Sequence, residues 1–148
     1  MVLQWIAIVC IAAVGACIVS WAAGSARDEI ACELRMRSLL RDWRRRCQDA
    51  RIYPSRDAYL DLESVLHEML AAAFPAVLSR HPTWKEVEDD AGHLLDPGVR
   101  IAIESIFDAL DEVYAPAFSP DQTAIAAIAY SLDRVMTALA PKIDRRGG

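Results

Sequence analysis

The sequence predicts an all-α protein with a single N-terminal transmembrane helix, an amphipathic juxtamembrane helix and a small antiparallel bundle of about four helices. Three observations lead to this fold class. Residues 2–23 form one apolar block without a charged residue. The remaining residues repeat their apolar positions with helical spacing and show no period-two stretch. Seven prolines divide that remainder into segments of helix length. The 148 residues therefore suit one membrane segment and one domain of ordinary size.

The apolar block is long enough to cross a bilayer. Its 22 residues span roughly 33 Å as a helix, against a hydrocarbon core of about 30 Å. Trp5 and Trp21 stand near its two ends, where aromatic rings favour the headgroup region. We therefore assign residues 1–24 as a transmembrane anchor that contacts membrane lipid through residues 2–23.

Two other interpretations of the block stay open. Gly24, Ser25 and Ala26 form a passable signal-peptide cleavage site, and the residues before Cys17 resemble a weak lipobox. The block has no preceding Lys or Arg and exceeds the usual length of a signal peptide, which favours a retained anchor.

The basic residues predict the orientation of the anchor. None precedes it, whereas four arginines follow within about twenty residues, so the positive-inside rule places residues 25–148 in the cytoplasm. The bias of 14 Arg to 2 Lys and the alanine-rich helices are typical of a GC-rich bacterial or phage gene. The expected location is the bacterial inner membrane. With the reverse orientation, Cys32 would be able to form a disulfide between two copies.

Residues 25–53 form the predicted juxtamembrane helix. Placing its residues 100° apart gathers the apolar side chains in one arc. The candidate partner-binding stripe on this arc consists of Met36, Leu39, Leu40 and Trp43. Whether this helix joins the bundle or stays apart as a stalk is left open by the sequence.

The same helix carries the candidate contacts to anionic lipid, which are Arg41, Arg44, Arg45 and Arg46. Such contacts contribute about 1 kcal/mol per residue near a membrane surface. In a straight helix Arg44 stands roughly 30 Å from Gly24, so lipid binding requires a bend near Gly24. Without the bend, the arginines are solvated residues of a bundle or dimer helix, facing the acidic domain.

Residues 54–141 form the predicted bundle. Ser55 is a plausible N-cap for a helix to about residue 74, and Thr83 with Glu86 forms a capping box for a short helix reaching residue 95. A third helix covers about residues 99–114, and Ser119 caps the last one. Four apolar stripes facing inward make one core. Residues 142–148 are expected to be a disordered tail.

Charge and motifs narrow the function. Residues 1–56 carry a net charge of +4 and residues 57–148 carry −9, which argues against nucleic-acid binding. No phosphate-binding or nucleophile motif occurs. Glu63 with His67, and Asp90 with His93, match the ligand spacing of di-iron bundles poorly. We therefore expect no catalytic, cofactor-binding or metal-binding residue and no enzymatic activity.

The first functional hypothesis is a single-pass membrane protein that acts through protein–protein interaction, as an accessory subunit, assembly factor or regulator of a membrane complex. Its partner is another protein or a second copy of the chain. The alternative is an exported envelope or phage-lysis domain with its C-terminus outside. A helical metal-dependent enzyme is the third hypothesis.

Overall fold

A computed structural model describes the backbone of residues 2–144 and their side chains except those of 2–19, 21–23, 26 and 144. The described chain is helical and contains no strand, which confirms the predicted all-α class. Its five α-helices are α1 (Val2–Ile52), α2 (Arg56–Ala73), α3 (Trp84–Glu86), α4 (Pro97–Asp111) and α5 (Gln122–Asp144). A π-helical turn, Val87–Ala91, and a 3-10 turn, Gly92–Leu94, follow α3, and a 3-10 turn, Glu112–Tyr114, follows α4.

Four of these helices form an up-down-up-down bundle. On α1 and α2 the contacting residues run in opposite order, since Trp43 meets Glu68 while Arg46 meets Asp61. The same reversal relates α1 to α5, where Arg44 meets Asp133 and Arg51 meets Gln122. It also relates α2 to α4, since Arg56 meets Val113 while the His67 ring lies near that of Phe107. The C-terminus of α5 returns to the segment just before α4, where the Lys142 ammonium donates to the Leu94 carbonyl.

The fourth helix of the bundle is the C-terminal part of α1 and not, as predicted, the segment 83–95. Trp43, Cys47 and Ala50 belong to the same buried cluster as the apolar residues of α2, α4 and α5. The segment 83–95 has only one α-helical turn before it changes to π and 3-10 geometry, so it contributes Val87, Ala91 and Leu95 to the core without forming a bundle helix. The boundary predicted between residues 53 and 54 therefore lies inside one packing unit, because α2 and α5 bury the stripe of α1.

Helix α5 is the central helix of the core. It packs against α1, α2 and α4, and its buried apolar side chains include Ile125, Leu132, Val135, Met136 and Leu139. Among the described residues searched, only Gln122–Ile143 is long and apolar enough to cross a membrane. A buried core helix meets the same criterion, and its position in the bundle accounts for the apolarity of α5. The predicted anchor, with Trp5 and Trp21, lies outside the described side chains.

Local hydrogen bonds explain where two helices begin. The Ser55 hydroxyl accepts a hydrogen bond from the Ala58 N–H at 3.1 Å, which confirms Ser55 as the N-cap of α2. Thr83 and Glu86 make both hydrogen bonds of the predicted capping box. Each cap satisfies N–H groups that have no partner inside the first helical turn.

Both ends of α5 differ from the sequence prediction. The Asp121 carboxylate accepts from the Ala124 N–H at 2.9 Å, so Asp121 caps the helix and the prediction of Ser119 was wrong. The buried Tyr59 hydroxyl donates to the Asp121 carbonyl at 3.0 Å and holds this start in place. At the other end α5 continues through Pro141 to Asp144, past the predicted start of the tail at residue 142. A proline in the last turn costs a single helical hydrogen bond, and the contact of Lys142 with α4's entry segment anchors that turn.

Candidate functional site

A groove of about 550 Å³ runs between α1 and α5 on the surface of the bundle. The two helices bring its lining residues together although these are far apart in the sequence. The residues that define its chemistry are Arg44, Cys47, Arg51, Ile52, Tyr130 and Asp133. We call this feature the α1–α5 groove.

Apolar and basic side chains share the α1–α5 groove. Tyr130 is 64% exposed and Ile52 is 54% exposed, which is high for residues that flank a cavity. Arg44 donates to Asp133 at 3.2 Å across the groove, and both side chains remain more than half exposed. The Gln122 amide donates to the Arg51 carbonyl, which closes one end. Exposed tyrosine and arginine are the residue types enriched where proteins bind proteins.

The thiol in the α1–α5 groove, Cys47, is buried. Burial is the largest influence on Cys47 and, with the nearby Asp133 carboxylate, raises the pKa of its thiol to about 11 against the opposing effect of Arg46. Since the thiolate is the nucleophilic form, Cys47 is a packing residue at neutral pH. Cys32, on the part of α1 that projects from the bundle, is partly exposed.

A polar network joins α1 to α2 beside the core. The Trp43 indole N–H donates to Glu68 at 2.9 Å, and the Arg46 guanidinium contacts Asp61 at 2.6 Å and Glu68 at 3.0 Å. Burial lowers the pKa of Arg46, but the hydrogen bonds that it donates to both carboxylates raise that pKa above its ordinary value. Burial raises the pKa of Glu68, yet hydrogen bonds from Trp43, Arg46 and Ser64 outweigh it and leave that pKa lowered.

The bundle itself covers most of the predicted partner-binding stripe. Trp43 is buried in the core, Met36 is buried, and Leu40 packs against the core while partly exposed. Leu39 is the member that reaches solvent, at 36% exposure. The structure therefore gives this stripe an intramolecular role that the sequence left open.

The four arginines predicted to contact lipid have different surroundings. Arg46 is held by α2 and Arg44 by Asp133, while Arg45 pairs with Asp42 on its own helix at 2.7 Å. Arg41 is exposed. The backbone of α1 is helical across Gly24, where lipid binding would require a bend. Lipid binding by these residues stays a prediction.

The structure brings together two histidines that are far apart in the sequence. The Nδ1 atoms of His67, on α2, and His81, in the loop after α2, are 3.5 Å apart. Burial is the main cause that lowers the pKa of His67, against the opposing charge of Glu63. The second predicted pair, Asp90 with His93, is exposed. His67 and His81 are fourteen positions apart with Pro75 between them, so no regular spacing in the sequence predicts their contact.

No known protein family, no curated protein and no solved structure matches this chain. The arguments for its function therefore come from its own residues.

Proposed function

We propose that this chain is a single-pass membrane protein whose helical bundle binds another protein, as an accessory subunit, assembly factor or regulator of a membrane complex. The anchor is residues 2–23, and the bundle faces the cytoplasm of a bacterial cell. The observation that carries the proposal of partner binding is the α1–α5 groove, with exposed Tyr130 and Ile52 beside two arginines.

The continuity of α1 supports a fixed link between anchor and bundle. The helix runs unbroken from Val2 to Ile52. The described side chains of residues 24–35 are exposed except for Cys32, and the first buried residue is Met36. Twelve residues of helix hold the bundle roughly 18 Å from the end of the anchor. At this distance from the bilayer, the bundle is within reach of a partner protein anchored in the same membrane.

The charge around the α1–α5 groove indicates the chemistry of the partner. The bundle is acidic as a whole, yet Arg51 adds a positive charge at one edge of the groove, where Arg44 is already paired with Asp133. An amphipathic segment would complement this surface if it placed an apolar side chain beside Tyr130 and a carboxylate near Arg51. Such a segment gains the burial of Tyr130 without leaving a charge unpaired.

Site-specific photocrosslinking tests the proposed docking surface. A photoreactive phenylalanine replaces Tyr130 in the full-length protein, and the matched control carries it at Ile101, which is equally exposed on α4. After irradiation of intact cells, we expect an adduct at position 130 to one protein species and none at position 101. An adduct to a second copy would identify a homo-oligomer. Equal adduct patterns at both positions, or no adduct at either, would overturn the proposal.

Thiol labelling tests the topology and separates the alternative of an exported domain. Of the two described cysteines, Cys32 is partly exposed and Cys47 is buried. Cys10 and Cys17 lie within the proposed anchor, so an impermeant maleimide is expected to report on Cys32 in folded protein. We expect labelling in inverted membrane vesicles and none in intact cells, with Cys32→Ser as the control. Labelling of intact cells would establish the exported alternative, in which Cys32 is free to link two copies.

A further inference from the structure

The histidine pair lies outside the α1–α5 groove and joins two separate segments of the chain. His67 is half-buried on α2, and His81 is exposed in the loop between α2 and α3. Their rings stand nearly perpendicular, with centroids 5.4 Å apart and the two Nδ1 atoms 3.5 Å apart.

This spacing matches two ligands of one metal ion. Two imidazole nitrogens bound at about 2.0–2.1 Å to a tetrahedral ion are about 3.4 Å apart. A direct hydrogen bond, by contrast, requires one Nδ1 to donate and the other to accept, and 3.5 Å is beyond the usual range for such a bond. We propose that His67 and His81 bind one Zn²⁺ ion through their Nδ1 atoms.

The surroundings of the pair favour a cation of this kind. Glu63 lies one helical turn before His67, and the Glu63 carboxylate accepts a hydrogen bond from the Tyr114 hydroxyl at 2.5 Å. The Phe107 ring centroid is 6.0 Å from that of His67 and provides an apolar wall. Neutral imidazole suits zinc, nickel and copper ions. Among these ions Zn²⁺ has no redox chemistry and no geometric preference from its d electrons, so it adapts to the angle that the pair imposes.

The site has two protein ligands and remains open. Among the described residues, no three His, Cys, Asp or Glu side chains converge as a metal-binding group. Water molecules complete the coordination, so the affinity is lower than that of a closed structural zinc site. Binding links α2 to the loop before α3, and the bound state is therefore more stable than the free protein.

Titration of Zn²⁺ into the full-length protein in detergent tests the proposal. The protein carries Cys32→Ser, which removes the partly exposed thiol among the described side chains of α1, and has no polyhistidine tag. We expect one ion per chain by calorimetry and a rise in Tm of about 4 °C or more at saturation. The imidazole NMR signals of His67 and His81 shift with zinc, while those of His93 do not.

Three matched variants complete the test. His67→Gln and His81→Gln each weaken binding at least about tenfold, since even the loss of an outer hydrogen bond to a metal ligand costs that much. His93→Gln, which removes an exposed histidine, retains the original affinity. His81→Gln is the decisive variant because its side chain is exposed and outside the core. Unchanged affinity in His81→Gln, or no binding up to millimolar zinc, would overturn the proposal.

Discussion

At the scale of single residues, Arg46 joins α1 to α2 through hydrogen bonds to two residues of α2. Its guanidinium contacts the Asp61 and Glu68 carboxylates and also donates to the Asp61 carbonyl. The side chain is only 18% exposed, so its charge is largely removed from water and depends on these partners. Arg45, its neighbour, forms an exposed pair within one helix.

We expect Arg46→Gln to lower the free energy of unfolding by about 2 kcal/mol, because it leaves two carboxylates without their charged donor. Arg45→Gln should change it by less than about 0.5 kcal/mol, as is typical of exposed ion pairs. Urea denaturation followed by tryptophan fluorescence measures both values. Equal effects of the two substitutions would show that the network does not hold α1 in place.

The lowered pKa of Glu68 predicts how the stability of the fold depends on pH. Its pKa is lowered in the folded protein, so the carboxylate stabilises the fold above the unfolded-state value of about 4.3. This contribution is lost as the pH falls through the folded-state pKa. We expect Glu68→Gln to be less stable than the wild type at pH 6, and the difference to shrink below about pH 4.

The control for this prediction is Glu104→Gln, which alters an exposed carboxyl group on α4. Urea denaturation at a series of pH values measures all three proteins. If the difference between Glu68→Gln and the wild type stayed constant from pH 6 to pH 3, the polar network would not be the source of the lowered pKa.

At the scale of elements, the sequence predicted the start of a helix correctly where the cap consists of residues close together in the chain. Ser55 and the Thr83–Glu86 box follow from spacing within four residues, and the structure confirms both. The start of α5 was predicted at Ser119, whereas the structure has Asp121 as the cap, with its carbonyl accepting from the Tyr59 hydroxyl of α2. That contact joins residues 62 positions apart, so no local pattern contains it.

Asp121→Ala should therefore lower the free energy of unfolding by about 1 kcal/mol, the usual cost of a lost N-cap. Ser119→Ala is the matched control and should have little effect, because its side chain caps no N–H group among the described residues. Thermal unfolding by circular dichroism compares the two. A larger loss in Ser119→Ala would restore the original assignment.

Two features of the elements could not be predicted because they depend on which faces meet. The arc through Trp43 has the same helical spacing whether a bundle, a second copy or a membrane covers it. The structure shows α2 and α5 covering it. The approach of His81 to His67 depends on the path of a loop after Pro75, where no repeating pattern exists.

At the scale of the whole molecule, the charge asymmetry of the sequence becomes complementarity inside one domain. Arginines of the basic first part pair with carboxylates of the acidic second part, as Arg44 does with Asp133 and Arg46 with Asp61. The opposite charges thus act between α1 and the helices that bury it. This arrangement makes α1 part of the fold and not a separable stalk.

Truncation tests that conclusion. Residues 25–148 keep every described core residue and should unfold in one cooperative transition. Residues 54–148 lose Trp43, Cys47 and Ala50, and a lost core tryptophan alone costs about 3–5 kcal/mol. We expect the shorter chain to show no cooperative thermal transition by circular dichroism. Cooperative unfolding of both chains at the same Tm would place the domain boundary at residue 53 after all.

The unbroken helix α1 has a geometric consequence for recognition at the membrane. Each residue of a helix advances its faces by 100° as well as 1.5 Å. In the proposed arrangement, the number of helical residues between the anchor and Met36 therefore sets the direction in which the α1–α5 groove faces around the membrane normal. One inserted residue turns the groove by about 100°, whereas seven raise it by about 10 Å and turn it by only about 20°. A partner fixed in the same bilayer would meet the groove from one direction, so the spacing of this helix is itself a determinant of binding.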